Sequence, residues 1–124
     1  MSCIFCDLVS NTDKIIYDNR YFYAIYDSYP VTLGHVLIIS KKHVKDYFEL
    51  EEVEIIALDE AIRNVKVIID KLYKPDGYNL GNNNGEVSGQ TVMHFHLHMI
   101  PRYQGDCKNP RGGVRGVIPE RRIY

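Results

Sequence analysis

A chain of 124 residues is long enough for one folded domain. Its formal net charge is −1 at pH 7, with 15 Lys and Arg against 16 Asp and Glu, which gives no basis for expecting a nucleic acid or an anionic membrane as partner. The three cysteines are too few, and odd in number, for a disulfide framework. We therefore expect a cytoplasmic protein whose thiols are free or metal-bound.

The N-terminal segment MSCIFCDLVS has neither the basic region nor the long apolar stretch of a secretory signal. No apolar run approaches the length of a membrane span. Within this segment, CIFCDLVS predicts a short helix. KIIYD and YFYAIYD predict two strands joined by a hairpin turn at DNR, and HVLIISKK predicts a third strand after the loop YPVTLG.

The clearest element runs from Glu51 to Tyr73. Apolar residues recur there at spacings of three and four, as on the buried face of an amphipathic helix: Ile55, Leu58, Ile62, Val65, Ile69 and Leu72. Pro75-Asp76-Gly77 is predicted to end the helix, and YNLGNNN to form a strand that runs into a loop. Strands on both sides of one long helix favour an α+β domain with an antiparallel sheet.

The segment after residue 106 is rich in Pro, Gly and Arg, and Glu120 is its only acidic residue. We predict an irregular basic arm over residues 107–124, separate from a domain of residues 1–106. One interpretation is an arm held down by Val114, Val117 and Ile118. The other is an arginine-bearing arm that reaches an anionic ligand or a partner subunit.

The stretch VMHFHLHMIPR, residues 92–102, alternates histidine with apolar residues. This pattern predicts a half-buried strand with His94, His96 and His98 on one face. His94 and His98 would lie about 13 Å apart on an extended strand, whereas zinc–nitrogen distances are about 2.0–2.1 Å. A single metal site that uses all three histidines is therefore excluded unless the strand is sharply bent.

Further zinc-type ligands are present elsewhere in the sequence. Cys3 and Cys6 form a C-x-x-C pair, and His43 follows the third predicted strand. With one histidine of the strand they would complete a Cys2His2 set, which is typical of structural zinc. The alternative is an unliganded thiol pair. Thioredoxin-type redox chemistry is disfavoured because no strand precedes the motif.

The loop GNNNGEVSGQT, residues 81–91, directly precedes the histidine strand. It contains no Lys or Arg, so it is not a Walker-type loop. Its glycines let the backbone approach a ligand closely, and four neutral side chains suit phosphate oxygens: Asn83, Ser88, Gln90 and Thr91. The alternative interpretation is a plain surface turn.

The segment HFHLHMI resembles the His-φ-His-φ-His-φ-φ signature, where φ is apolar, of the histidine triad (HIT) superfamily of nucleotide hydrolases and transferases. CIFC, YDSYPVTLGHVLIISKKH and SGQTVMHFHLHMIPR extend the resemblance over almost the whole chain. It implies a HIT-like α+β homodimer with a nucleotide pocket beside the histidine strand. An adenine nucleotide is the ligand that it favours.

The resemblance also implies catalytic roles. His96 would attack the α-phosphorus and form a covalent nucleotidyl-histidine intermediate, with the backbone carbonyl of His94 fixing its tautomer. His98 would hold a phosphate oxygen and protonate the leaving group, and Gln90 would be a further donor. The remaining implied nucleotide contacts are Asp27 on the ribose, Asn83 and Thr91 near the phosphates, His35 beside the triad, and Phe5, Leu8 and Ile25 around the base.

The metal set implied by the same resemblance is Cys3, Cys6, His43 and His94, holding a structural Zn2+. The implied function is hydrolysis at the α-phosphate of dinucleoside polyphosphates or related adenylated compounds, because His98 stands where the transferase branch carries Gln. The alternatives are a purine nucleoside phosphoramidase, a non-catalytic nucleotide sensor or scaffold, and a redox metalloenzyme that binds iron or copper.

Overall fold

The computed structural model describes residues 3–124. Five strands form one antiparallel sheet in the order β1-β2-β3-β5-β4. They are β1 (Ile15–Asp18), β2 (Phe22–Tyr26), β3 (Val36–Ser40), β4 (Gly77–Gly81) and β5 (His96–Arg102). Two α-helices are described, α1 (Ile4–Leu8) and α2 (Glu52–Tyr73). The predicted α+β class, with one long and one short helix, is confirmed.

Asn19 forms the hairpin turn between β1 and β2. Its side-chain oxygen accepts hydrogen bonds from the backbone N–H groups of Tyr21 and Phe22, both at 2.9 Å. Its amide donates to the backbone carbonyl of Ala57 in α2, also at 2.9 Å. The turn predicted at DNR therefore joins the two strands and also ties them to the long helix.

The long helix begins one residue after the predicted start. The backbone N–H of Glu51 donates to the Glu54 carboxylate at 2.8 Å, as in the first turn of a capped helix. Lys74 adopts a left-handed conformation and ends the helix. The predicted buried stripe stops at Ile69, because Leu72 in the last turn is 62% exposed. Neither helix of the described chain is long and apolar enough to cross a membrane.

The sheet is covered on both faces at its centre. All five residues of β3 are buried, as a strand between two layers requires. One face packs against α2 through a core that includes Phe22, Ile38 and Phe95. The other face packs Tyr23 and Ile39, among others, against Phe5 of α1. This second face, partly left open by the short α1, carries the histidines.

The histidine strand differs from the prediction at its start. β5 begins at His96, and burial alternates from there as predicted. His94 lies in a bend before the strand and is fully buried. The bend forms because two backbone hydrogen bonds hold Phe95, the last residue before β5. Its N–H donates to the Val44 carbonyl at 2.7 Å, and its carbonyl accepts from the Ser40 N–H at 3.3 Å. The three histidines therefore do not share one strand face.

Hydrogen bonds from arginines, rather than apolar contacts, hold the arm of residues 107–124. The interpretation in which apolar residues hold the arm was wrong. These residues are 55–78% exposed: Val114, Val117 and Ile118. Arg122 donates to the Asn109 carbonyl at 2.9 Å, and Arg115 to the Arg121 carbonyl at 2.8 Å. Arg111 and Arg115 lie over the Tyr124 ring. These arginines make bonds within the arm itself.

Candidate active site and metal cluster

Four donor-bearing side chains converge beside α1: Cys3, Cys6, His43 and His94. The sulfurs of Cys3 and Cys6 lie 3.3 and 3.5 Å from Nδ1 of His94, and the Cys6 sulfur lies 3.2 Å from Nδ1 of His43. Donors on a zinc tetrahedron are about 3.3–3.8 Å apart, given the usual Zn–N and Zn–S bond lengths. The four donors are therefore spaced to hold one ion.

The surroundings of His94 suit a metal ligand. Its Nε2 lies 2.7 Å from the Ser40 carbonyl; a carbonyl only accepts, so Nε2 carries the hydrogen and the lone pair of Nδ1 faces the cysteines. A backbone partner that orients a ligating imidazole in this way is usual in metal sites. Burial lowers the pKa of His94, which keeps the ring neutral, as ligation requires.

The two cysteine thiols are also suited to bind a cation. Burial, together with the neighbouring Cys3, raises the pKa of the Cys6 thiol. A bound cation reverses that direction and deprotonates a coordinating thiol. The donor set of two sulfurs and two imidazoles is the one that zinc prefers in structural sites.

A cavity of about 310 Å³ opens on the histidine-bearing face of the sheet, within the usual range of small-molecule sites, about 300–1,000 Å³. Eight of the predicted nucleotide-site residues line it: Phe5, Leu8, Ile25, Asp27, Asn83, Thr91, His96 and His98. Apolar side chains of α1 and polar side chains from other segments both line it. The cavity therefore offers an apolar place for a base and a polar place for phosphates.

A larger cleft, of about 460 Å³, lies between the arm and the end of β5. Its charged groups include Arg102 and Asp106, which bond each other at 2.7 Å. The cleft contains no histidine. We place the candidate active site in the smaller cavity, because it is the one that contains His96 and His98.

The geometry of His96 prepares one ring nitrogen as a nucleophile. Its Nδ1 lies 2.8 Å from the backbone carbonyl of His94, so Nδ1 carries the hydrogen and Nε2 keeps a lone pair. The Phe5 ring packs edge-on against the imidazole, with ring centroids 4.9 Å apart. In the described chain, neither group of potential metal ligands includes His96, so the ring is available for chemistry.

The tautomer of His98 follows from a chain of hydrogen bonds. The backbone N–H of Val31 points at Nδ1 of His35 from 3.0 Å, which makes that nitrogen an acceptor. Neutral His35 then carries its hydrogen on Nε2 and donates to Nδ1 of His98 at 3.0 Å. Neutral His98 must carry its own hydrogen on Nε2. His98 is thereby arranged as a hydrogen-bond donor through Nε2.

Asp27 lies against this histidine pair. One carboxylate oxygen accepts the Tyr29 N–H at 2.8 Å, and the other lies 3.4 Å from Nε2 of His35 and 3.8 Å from Nδ1 of His98. Burial lowers the pKa of both histidines, and the Asp27 carboxylate opposes the shift in each. The pKa of His98 is lowered further by His35 and His96, so both rings are neutral at pH 7.

These lowered pKa values predict acid sensitivity. The unfolded chain protonates His35 and His98 near the ordinary pKa of about 6.5, while the folded chain resists protonation at that pH. The free energy of unfolding should therefore fall below about pH 6.5, by up to about 1.4 kcal/mol per pH unit for each histidine. Urea unfolding across this range measures the slope. A His35→Asn variant should give a shallower slope; equal slopes would contradict the assignment.

Gln90 was predicted to contact the nucleotide, but it does not line the cavity. It is 4% exposed, and its amide donates to the carbonyls of Lys45 and Val92 at 2.7 and 3.1 Å. Its oxygen accepts the Gly85 N–H at 2.8 Å. Because both amide hydrogens are used, a direct bond to phosphate does not fit, and Gln90 instead braces the loop of residues 82–91.

Two other predicted contacts also lie outside the cavity lining. Ser88 is exposed in a 3₁₀ turn, and His35 is buried behind His98. In contrast, six lining residues were not among the predicted contacts: Ile4, Ser28, Tyr29, Leu37, Gly89 and Val92. The two-residue period of strands gave a signal for Leu37, which pairs with His98 in the sheet. Tyr29, in a loop and 88% exposed, has no such signal.

Asp27, His35 and His98 form a second group of potential metal ligands. Two imidazoles and a carboxylate are the donor set of many iron sites. The Val31 N–H bond, however, leaves the hydrogen of neutral His35 on Nε2, the nitrogen that faces the other two donors. A protonated nitrogen cannot ligate a metal, which disfavours the iron or copper alternative.

Comparison with protein families identifies the family of the chain. The model of the HIT domain matches residues 9–105, which include the cavity loop and the entire histidine strand. This chain belongs to the HIT family. The superfamily resemblance expected from HFHLHMI is therefore confirmed.

HIT relatives of unknown activity resemble the chain more than those named as enzymes do. A HIT-like protein of Mycoplasma genitalium, itself uncharacterized, is 39% identical over 105 residues, 83% of this chain and 74% of that protein. Adenosine 5′-monophosphoramidase hnt1 of Schizosaccharomyces pombe is 33% identical and covers 82% and 75% of the two chains. Bis(5′-nucleosyl)-tetraphosphatase of the same yeast is 32% identical, over 75% of this chain and 51% of that protein.

Solved HIT structures share the fold. A hypothetical histidine triad nucleotide-binding protein of Sulfolobus tokodaii is 38% identical, with a TM-score of 0.76 over 83% of this chain and 70% of that one. A zinc-bound histidine triad family protein of Mycobacterium smegmatis is 34% identical, with a TM-score of 0.75 over 86% and 78% of the two chains.

Proposed function

We propose that this HIT protein is a hydrolase that cleaves nucleoside 5′-phosphate derivatives at the α-phosphorus, with His96 as the nucleophile. The observation that carries the proposal is the bond from Nδ1 of His96 to the His94 carbonyl, which leaves Nε2 free beside the cavity. The HIT relatives named as phosphoramidase and tetraphosphatase support hydrolysis of a nucleotide compound.

In the first step, Nε2 of His96 attacks the α-phosphorus. A P–N bond to the imidazole forms, and the bond from phosphorus to the leaving group breaks. Binding of the anionic substrate favours the protonated form of His98, which the Asp27 carboxylate, 3.8 Å from Nδ1, also favours. The imidazolium donates its Nε2 proton to the departing atom and returns to the neutral form. Positioned donors of this kind contribute most where charge develops in the transition state.

In the second step, water attacks the same phosphorus from the side that the leaving group vacated. The P–N bond breaks, its electron pair returns to Nε2 of His96, and a nucleoside 5′-monophosphate is released. A proton of the attacking water restores the hydrogen on His98. Covalent catalysis of this type replaces one difficult displacement by two easier ones.

The leaving group distinguishes the two activities that the relatives suggest. A polyphosphate leaves as a stable anion, whereas the amine of a phosphoramidate must be protonated to leave. The experiment that ranks them compares initial rates on diadenosine tetraphosphate, adenosine 5′-phosphoramidate and an adenylated amino acid. Turnover of none of the three, by wild type or by His96→Ala, would instead support the nucleotide sensor or scaffold alternative.

Asp27 is proposed to bind the ribose hydroxyls. Asp27→Ala should raise KM about tenfold or more for a substrate with a free 2′,3′-diol, because a hydrogen bond to a charged group is worth about 1.5–3 kcal/mol. A 2′,3′-dideoxy substrate should show no comparable change. If KM rises equally for both, Asp27 acts through His35 and His98 rather than on the ribose.

We further propose that Cys3, Cys6, His43 and His94 bind one structural zinc ion. The spacing of the donors and the orientation of His94 support this, as does the zinc-bound HIT relative. When bound, zinc supplies a cross-link between the N-terminus and the bend before β5. Because thiolate ligands must stay reduced, we also propose a reducing compartment, the cytoplasm, for the protein.

A homodimer joined at β4 is proposed as the assembly. β4 stands at one end of the strand order, with a free edge that can pair with a second copy. Leu80 on β4 is 43% exposed, so this strand carries exposed apolar surface. We also propose residues 1–106 as the HIT domain and residues 107–124 as an added arm, since the HIT model ends at residue 105.

A further inference from the structure

Helix α1 belongs to both the metal cluster and the nucleotide cavity. Cys3 and Cys6 point into the cluster, while Ile4, Phe5 and Leu8 line the cavity. A helix of five residues is too short to be stable by itself in water. Its position therefore depends on what holds its ends and side chains.

Phe5 makes the contacts that join the two sites. Its ring centroid lies 4.9 Å from that of His96 in the cavity and 5.8 Å from that of His94 in the cluster. The side chain is 7% exposed, and the Phe5 carbonyl accepts a hydrogen bond from the Tyr23 hydroxyl. A displacement of α1 would therefore move this ring away from both histidines.

The two cysteines flank Phe5 in sequence, at positions 3 and 6. Each sulfur reaches an imidazole nitrogen that belongs to a distant part of the chain. Thiols are weak hydrogen-bond donors, whereas thiolate–zinc bonds are strong enough to drive the folding of small domains. Metal ligation is thus the firmest attachment available to α1.

We propose that metal binding and nucleotide binding are positively coupled through α1, with Phe5 as the positioning residue between the two sites. The proposal deepens the proposed function and rests on it, because it requires a nucleotide in the cavity. An ion in the cluster holds the apolar wall of the cavity closed, and a nucleotide packed against that wall holds the cysteines on the ion. Such coupling is reciprocal, and typical values are about 5- to 150-fold.

The decisive measurement is the rate at which zinc passes from the loaded, folded protein to a chromophoric chelator, with and without saturating AMP. AMP should slow the release at least about fivefold in the wild-type protein. Phe5→Leu keeps an apolar residue but removes the ring between the histidines, so AMP at saturation should slow its release less than about twofold. Cys107→Ser, which changes an exposed cysteine outside the cluster, should behave as wild type.

AMP affinity gives the reciprocal test. The dissociation constant of AMP, measured by calorimetry, should rise at least about fivefold when zinc is stripped, provided that circular dichroism shows the stripped protein still folded; otherwise the release rates decide alone. Unchanged release in AMP, or equal protection of Phe5→Leu, would overturn the coupling while leaving the proposed function intact. Failure of the zinc-loaded wild type to bind AMP at all would overturn both.

Discussion

Replacing His96 by alanine is expected to abolish formation of the nucleotidyl-protein adduct and to lower turnover on the order of 10⁴-fold or more, as removal of a nucleophile usually does. AMP binding should change little, because the apolar wall, Asp27 and Asn83 remain. Mass spectrometry of protein quenched during turnover of an adenylated substrate detects the adduct, and calorimetry detects binding. An adduct on His96→Ala would assign the nucleophile to another residue.

His98→Ala is the matched variant, because it removes the proposed acid and keeps the nucleophile. General acids contribute about 10²–10⁴-fold, and the contribution should depend on the leaving group. Turnover of the phosphoramidate should fall strongly, whereas the polyphosphate, which leaves as a stable anion, should be affected less. Equal losses on both substrates would show that His98 acts by holding phosphate and not by donating a proton.

Cys3→Ser is expected to lower stability far more than catalysis. Loss of a metal ligand is among the few single changes that cost on the order of 4 kcal/mol, which for a chain of 124 residues corresponds to a fall in melting temperature of about 10 °C or more. Saturated turnover per folded molecule should be nearly retained, because the His94 carbonyl and the His35–His98 pair stay in place. Thermal unfolding and kcat, corrected for the folded fraction, measure the two effects.

Cys107→Ser serves as the control for this prediction. The side chain is exposed, so the substitution should change the free energy of unfolding by less than about 0.5 kcal/mol. One zinc ion per chain should be found in the wild-type and Cys107→Ser proteins, and a weakened or empty site in Cys3→Ser. If Cys3→Ser loses turnover while its melting temperature is unchanged, the metal is catalytic and the structural assignment fails.

Local pattern was enough to predict most of the fold. The three- and four-residue spacing of apolar side chains predicted α2 to within one residue of its start, and the alternation through HLHMI predicted β5. The strand start was misjudged because alternation continues through VMHF, while hydrogen bonds of Phe95 to Val44 and Ser40 bend the chain there. Those partners are about fifty residues away, and no local pattern reports them.

For the candidate site, too, local pattern predicted some features and missed those that depend on distant residues. The length of an extended strand already separated His94 from His98, and the structure places their rings in different clusters. The inward turn of Gln90 was missed, because an amide next to a loop of Asn and Gly looks equally suited to phosphate and to backbone. The bond from Val31 to His35 was missed as well, since the conformation of the loop before β3 sets it.

His94 contributes to both the cysteine cluster and the cavity, with its imidazole next to the cysteines and its main-chain oxygen bonded to His96. Every amino acid has that oxygen, so the tautomer of the attacking ring survives any substitution at position 94 that preserves the bend. A redesigned chain in which well-packed apolar side chains replace the four ligands should thus retain its chemistry. The proposed zinc site and the proposed nucleophile are therefore separable in this architecture.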